Sequence, residues 1–204
     1  MYVTLIVKDN KIRIDNNSIT IESLYKSSFK IFLDNIVVCI ANTVIAIVAC
    51  MLLCITVIGI FAIPAVWGGY TESMIRMSIG QRVEIGKFFN VGFNRWRTLL
   101  FANIIYFIGI LIGLICFIIP GIYLMIRWFF FTQIIVYEGL NASKAFAKSG
   151  NIISNKFWEV TAVFVICAII ETIGGIIGIL ILATIPYISI VSAKYYISNL
   201  NNIK

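Results

Sequence analysis

Histidine is absent from this chain of 204 residues, proline occurs three times, and only 12% of the residues are charged. Without imidazole there is no His-based metal site, no His general base and no His-ligated haem. No Gly-x-Ser-x-Gly turn or phosphate-binding loop occurs, and no pair of carboxylates stands in an aspartyl-protease-like setting. These absences leave no candidate catalytic residue, no metal ligand set and no cofactor, so the chain is expected not to be an enzyme. The five cysteines (Cys39, Cys50, Cys54, Cys116 and Cys167) all fall within apolar runs. There a thiol behaves as a small hydrophobe, and neither a disulfide framework nor a metal spacing follows. The first 35 residues lack the apolar core and small-residue cleavage site of a signal peptide, so the first span is expected to direct insertion.

Scarcity of charge, set against 61% hydrophobic residues and a mean hydropathy of +1.01, leaves too little polar surface to cover a soluble globule. What is present is a pattern that occurs three times. A basic amphipathic stretch leads into a long apolar run, then an Ile-Pro pair, then a shorter apolar run carrying polar residues. The pairs are Ile63-Pro64, Ile119-Pro120 and Ile185-Pro186. Uncharged stretches run from Ile36 to Thr71, from Thr98 to Ile126 and from Thr172 to Ala193, and roughly 20 apolar residues cross the hydrocarbon core as a helix. The pattern therefore predicts an all-α integral membrane fold of six transmembrane helices arranged as three hairpins with pseudo-threefold repeat. The short alternating segments of an outer-membrane barrel are missing.

Four segments follow: a cytoplasmic N-terminal segment, 1–21, and three repeat units, 22–80, 81–140 and 141–204. In the first, Val3, Leu5 and Val7, then Ile12 and Ile14, alternate about Asp9-Asn10, which predicts either a short β-hairpin or a frayed tail. The net charge of +7 is segregated. Lys8, Lys11, Arg13, Lys26 and Lys30 precede the first span, and Arg82, Lys87, Arg95 and Arg97 lie between the second and third. Lys144, Lys148 and Lys156 lie between the fourth and fifth, and Lys204 ends the chain. The Ile-Pro turns carry none. The positive-inside rule then predicts both termini in the cytoplasm, and this placement argues for membrane partners rather than nucleic acid.

Each unit opens on an amphipathic stretch. Leu24, Ser28, Ile31, Phe32 and Asn35 share one face in the first. In the second the face is Ile85, Phe88, Phe89, Gly92 and Phe93; in the third it is Ala142, Ala145, Phe146, Ser149, Ile152 and Ile153. Such helices are expected to lie in the interface with Lys facing anionic lipid headgroups, the alternative being plain solvated connectors. Small residues four apart (Cys50 and Cys54, Gly109 and Gly113, Gly174 and Gly178) predict three equivalent close helix contacts. Pro64, Pro120 and Pro186 are expected in the first turn of each returning helix, where a missing N–H costs least.

The returning runs hold the ionisable residues. Counted from each proline, Glu72 and Lys194 lie eight residues on and Arg127 seven, which places them roughly 10 to 12 Å into the membrane. Glu72 and Arg76, four apart on one helix, can pair, and Glu171 then remains for Arg127 or Lys194. These five residues form the candidate polar cluster. One reading is a cytoplasm-facing polar cavity that binds an anionic group or relays protons; the other is a buried ion-pair network that fixes which helix packs where.

The stretch from Ile118 to Val160, together with upstream Phe89, Gly92-Phe93 and Arg95, resembles a bacterial and archaeal family of integral membrane proteins. That family includes the YciC-like proteins and the membrane domain attached to some glycerophosphoryl diester phosphodiesterases. Pro120-Gly121-Ile122-Tyr123, Arg127, Glu138-Gly139, Ala145, Ser149 and Phe157-Trp158 carry the resemblance, which covers roughly residues 22 to 200. It implies the multi-pass architecture, and it implies that any phosphodiesterase activity belongs to an attached soluble domain that this chain lacks. The expected function is a non-enzymatic membrane accessory or membrane-organising protein. The alternative is a small transporter or permease component built on the polar cluster; no residue argues for an immunity-type protein.

Overall fold

The computed structural model describes residues 20–154, 156–176, 178 and 180–200, so the expected N-terminal β-hairpin lies outside the described residues. All regular structure within them is helical: α1 Ile21–Asp34, α2 Ile36–Cys54, α3 Val57–Ile60, α4 Ile63–Ser78, α5 Phe88–Asn94, α6 Trp96–Cys116, α7 Ile118–Arg127, α8 Phe131–Glu138, α9 Ala142–Ser154, α10 Phe157–Ile176 and α11 Ile181–Leu200.

Five of the segments are long and apolar enough to cross a membrane: α2, α6, α7 with α8, α10 and α11. In α2, α6 and α10 only 22% of the apolar window is buried within the protein. Phe101, Phe107, Ile115, Val48, Met51, Ile169 and Ile176 all point outward. A continuous apolar exterior of this kind is the surface of a protein solvated by lipid. The described residues therefore form an all-helical fold of the membrane-protein type, with five helical segments able to cross a bilayer.

The returning run of the first unit departs from the others. Helix α4 has 16 residues, and 11 of them are buried. It is shorter than the five candidate spans and sits in the centre, packed against α2, α5, α6, α8 and α11. Glycine makes this possible. A Cβ on Gly69 would strike the Phe88 carbonyl, and one on Gly92 would strike the Ala65 carbonyl, so α4 and α5 meet backbone to backbone. Tyr70, wholly buried, donates to or accepts from Thr43 Oγ1 at 2.9 Å and ties α4 to α2.

Two corrections concern the turns. Pro64 and Pro120 do stand in the first turns of α4 and α7, but Pro186 lies inside α11, whose start precedes it by five residues. The chain reverses instead near Gly178, where φ is +65°. The small-residue contacts are also unequal. A Cβ on Gly113 would come within 2.9 Å of Gly121 Cα, and one on Gly109 within 2.6 Å of the Trp128 ring, so α6 and α7 pack tightly. Cys54 is exposed; in the third pair a Cβ on Gly174 would stand 2.5 Å from Thr184 Oγ1 of α11, whereas nothing lies within 4 Å of one placed on Gly178.

The amphipathic faces form where expected but are covered by protein. Leu24, Ser28 and Phe32 of α1 are buried, chiefly against α11. Burial pushes the Tyr25 phenol well above its ordinary pKa, and it donates to the Val163 carbonyl at 3.1 Å. Ala145, Phe146, Ser149, Gly150, Ile152 and Ile153 of α9 are buried, against α8, α6 and α7. Only seven residues of the second stretch are helical, and Ile85 and Phe93 stay exposed. Between amphipathic and long helix the chain kinks in the same way twice: Asn35 has φ −124°, ψ 23° and Arg95 has φ −118°, ψ 15°.

The span from Ile118 to Glu138 is broken at Trp128–Phe130. Ser149 of α9 mends the break: its hydroxyl donates to the Arg127 carbonyl at 3.0 Å and accepts from the Phe130 N–H at 3.2 Å. A backbone gap in lipid requires such partners. Phe130 itself is buried between Tyr195 and Tyr196, with ring centroids at 5.9 and 5.8 Å.

Candidate binding cavity

The polar residues of α4 follow the helical period toward its C-terminal end, where Glu72 and Arg76 fall one turn apart. Arg76 Nε donates to Glu72 Oε1. The Glu72 side chain is 9% exposed and that of Arg76 is 41% exposed, so the carboxylate is inside and the guanidinium reaches outward. Both line a cavity of about 550 Å³ bounded by α4, α5, α6 and α8, with Gln81, Asn94, Arg95, Thr98 and Tyr137 contributing polar groups.

Arg95 arrives from the kink between α5 and α6, and its guanidinium lies against Gly139. That glycine is required twice. It closes α8 in the left-handed region with φ +74°, and a Cβ there would stand 2.5 Å from the two terminal nitrogens of Arg95. A cation at the end of α8 also meets the negative end of the helix dipole. Among the described residues neither Arg95 nor the terminal nitrogens of Arg76 have a hydrogen-bond acceptor or, for Arg95, an ion-pair partner. With one carboxylate and two guanidinium groups, the cavity lining carries one positive charge in excess.

The other three residues of the expected cluster lie elsewhere. Arg127 ends α7, donates to the Tyr123 hydroxyl at 2.7 Å and sits over that ring. Lys194 is half-buried on α11 and Glu171 is exposed on α10, and no ion pair joins either to a neighbour among the described residues. The depth argument fails for Lys194 because Pro186 is not at the turn. Counted from the start of α11, Lys194 lies about 20 Å along the helix, near its far end.

An unpaired carboxylate on an apolar span has a measurable consequence. Glu171→Leu is expected to raise stability by about 1 to 3 kcal/mol, since the insertion cost of the charge disappears and no partner is stranded. The midpoint of unfolding in mixed micelles reads it; a marked loss would show that Glu171 has a counter-charge.

Glu138, Lys148 and Tyr196, to which the sequence pattern assigns no site role, form the other largely buried charged contact. Lys148 Nζ reaches Glu138 Oε2 at 2.6 Å, and the Tyr196 hydroxyl donates to Glu138 Oε1. The contact joins α8, α9 and α11 and backs the cavity wall at Tyr137. A signal was available: Glu138 directly precedes a glycine at the end of an apolar run, which marks a helix terminus where the side chain is held in place.

No family model, curated protein or solved structure matches this chain. No cluster of three or more metal-ligating side chains occurs among the described residues.

Proposed function

We propose that this protein is a non-enzymatic, six-span accessory protein of a prokaryotic cytoplasmic membrane that binds a polar ligand in a cytoplasm-facing cavity. The observation that carries this reading is the cavity itself, in which the polar helix α4 presents Glu72 and Arg76 beside Arg95. The sixth span is α4, whose 16 residues cover about 24 Å at roughly 1.5 Å each, with α3 in the turn that leads into it. Three hairpins, N-in and C-in, then leave every basic connector on one side and the uncharged reversals near Pro64, Pro120 and Gly178 on the other. Exposed Trp96 and Trp158 at the starts of α6 and α10 support an interface at the basic level, where α1, α5 and α9 meet anionic headgroups. The resemblance to the YciC-like family supports the same architecture.

A second reading, a small permease component, is favoured by one observation. Tyr70, Thr71, Glu72 and Ser73 are consecutive and buried, so polar groups surround α4 at the level of the cavity instead of occupying one face. Ligand flux into proteoliposomes separates a conduit from a closed pocket.

The topology is tested in a Cys-free background. Single cysteines at Phe61, Phe117 and Leu180 are expected to react with an impermeant reagent from outside, and ones at Lys26, Asn90, Thr98 and Lys144 only from the cytoplasmic side. External labelling at Asn90 overturns the six-span arrangement, and external labelling at Thr98 overturns the cytoplasm-facing cavity.

A further inference from the structure

Resting on the reading of the cavity as a cytoplasm-facing pocket, we infer that its ligand carries a phosphate group, held between the guanidinium groups of Arg76 and Arg95. Arg76 is pre-set for this role. Its Nε is engaged by Glu72, which leaves the two terminal nitrogens of this cavity-lining residue without an acceptor among the described residues. Arg95 is held against the Gly139 backbone by the absence of a side chain there, and it too lines the cavity. Half-buried donors without acceptors are costly, and a ligand that brings several oxygens removes that cost.

The type of side chain selects the ligand. Guanidinium presents planar, paired N–H groups that match phosphate or carboxylate oxygens, unlike the point charge of lysine. Two such groups line the one cavity, and Asn94, Gln81, Thr98 and Tyr137 add neutral partners, which is more donor capacity than one carboxylate satisfies. The single excess positive charge draws an anion, and Glu72, already occupied by Arg76, does not repel it. A volume of about 550 Å³ is within the roughly 300 to 1,000 Å³ typical of small-molecule sites, so the phosphate has room for an attached organic part. Phosphate of this kind comes from a lipid headgroup or from a free solute.

The purified intact protein is assayed by thermal unfolding in two arms: in detergent with added inorganic phosphate against chloride of equal ionic strength, and in nanodiscs of phosphatidylcholine with or without phosphatidic acid. Stabilisation is expected in at least one arm, weakened on the order of 10- to 100-fold in apparent affinity by Arg95→Gln. Arg97→Gln is the control, because it removes the same charge from an exposed residue over Trp96 that does not line the cavity. An effect in detergent assigns a free solute, and an effect only with phosphatidic acid assigns a headgroup; both support the site. No stabilisation in either arm, or equal losses in the two variants, overturns it. Should Arg95→Gln not fold, arginine modification of the wild-type protein by phenylglyoxal, mapped by mass spectrometry, replaces it. Phosphate or phosphatidic acid must protect Arg76 and Arg95 but not Arg97, and unprotected Arg95 overturns the inference. Thr98→Cys labelling from the cytoplasmic side with no anion effect leaves the pocket standing and removes only its phosphate.

Discussion

Gly92→Leu is expected to prevent accumulation of the folded protein. The first atom of any side chain at this position meets the Ala65 carbonyl, and the next nearest atom is the Gly69 amide nitrogen at 3.0 Å. These are backbone atoms of a central helix, so no rotamer change relieves the clash. Overpacking a well-filled interior costs about 1 to 3 kcal/mol when side chains can yield; here α4 and α5 must separate, and Gly92→Ala alone is expected to cost about 3 kcal/mol. Gly175→Ala serves as the comparison, because nothing lies within 4 Å of its Cβ, and it is expected to lose nothing. Folded yield by fluorescence-detected size exclusion measures both. A Gly92→Leu protein of normal yield would show that α5 does not pack on α4.

Glu138→Leu is expected to have the next largest effect. It leaves Lys148 without its anion and the buried Tyr196 hydroxyl without its acceptor. Breaking a buried pair from one side costs about 3 to 5 kcal/mol. The Lys148 side chain remains 32% exposed, so the low end, about 3 kcal/mol, applies. The double change Glu138→Leu with Lys148→Leu is expected to recover part of the loss, the unpaired tyrosine accounting for the remainder. Unfolding midpoints in mixed micelles give all three values, and additive losses in the double variant would remove the coupling.

The apolar runs and the segregated cations made the membrane class legible, because hydrocarbon thickness and insertion cost act on composition directly. The Glu72–Arg76 pair was legible for a similar reason: i,i+4 spacing is local. Arg95 was not, since its place in the cavity depends on how α8 ends beside the α5–α6 kink, a contact across 44 residues of chain. Pairing Glu171 with Arg127 or Lys194 assumed that three prolines mark three equal turns. Pro186 instead lies within α11, which shifts Lys194 toward the far end of its helix, and Glu171 is exposed on α10. Amphipathicity gave the correct faces of α1 and α9, but period alone does not distinguish an apolar face that meets lipid from one that meets another helix.

The seam at Trp128–Phe130 sets an order of events during synthesis. The amide and carbonyl freed there are satisfied by a hydroxyl from α9, a helix that leaves the ribosome after the broken segment. The segment from Ile118 to Glu138 must therefore wait for α9 before its backbone is fully paired. A nascent chain stopped at residue 140 would leave that amide and that carbonyl without their partner, which in an apolar medium is costly.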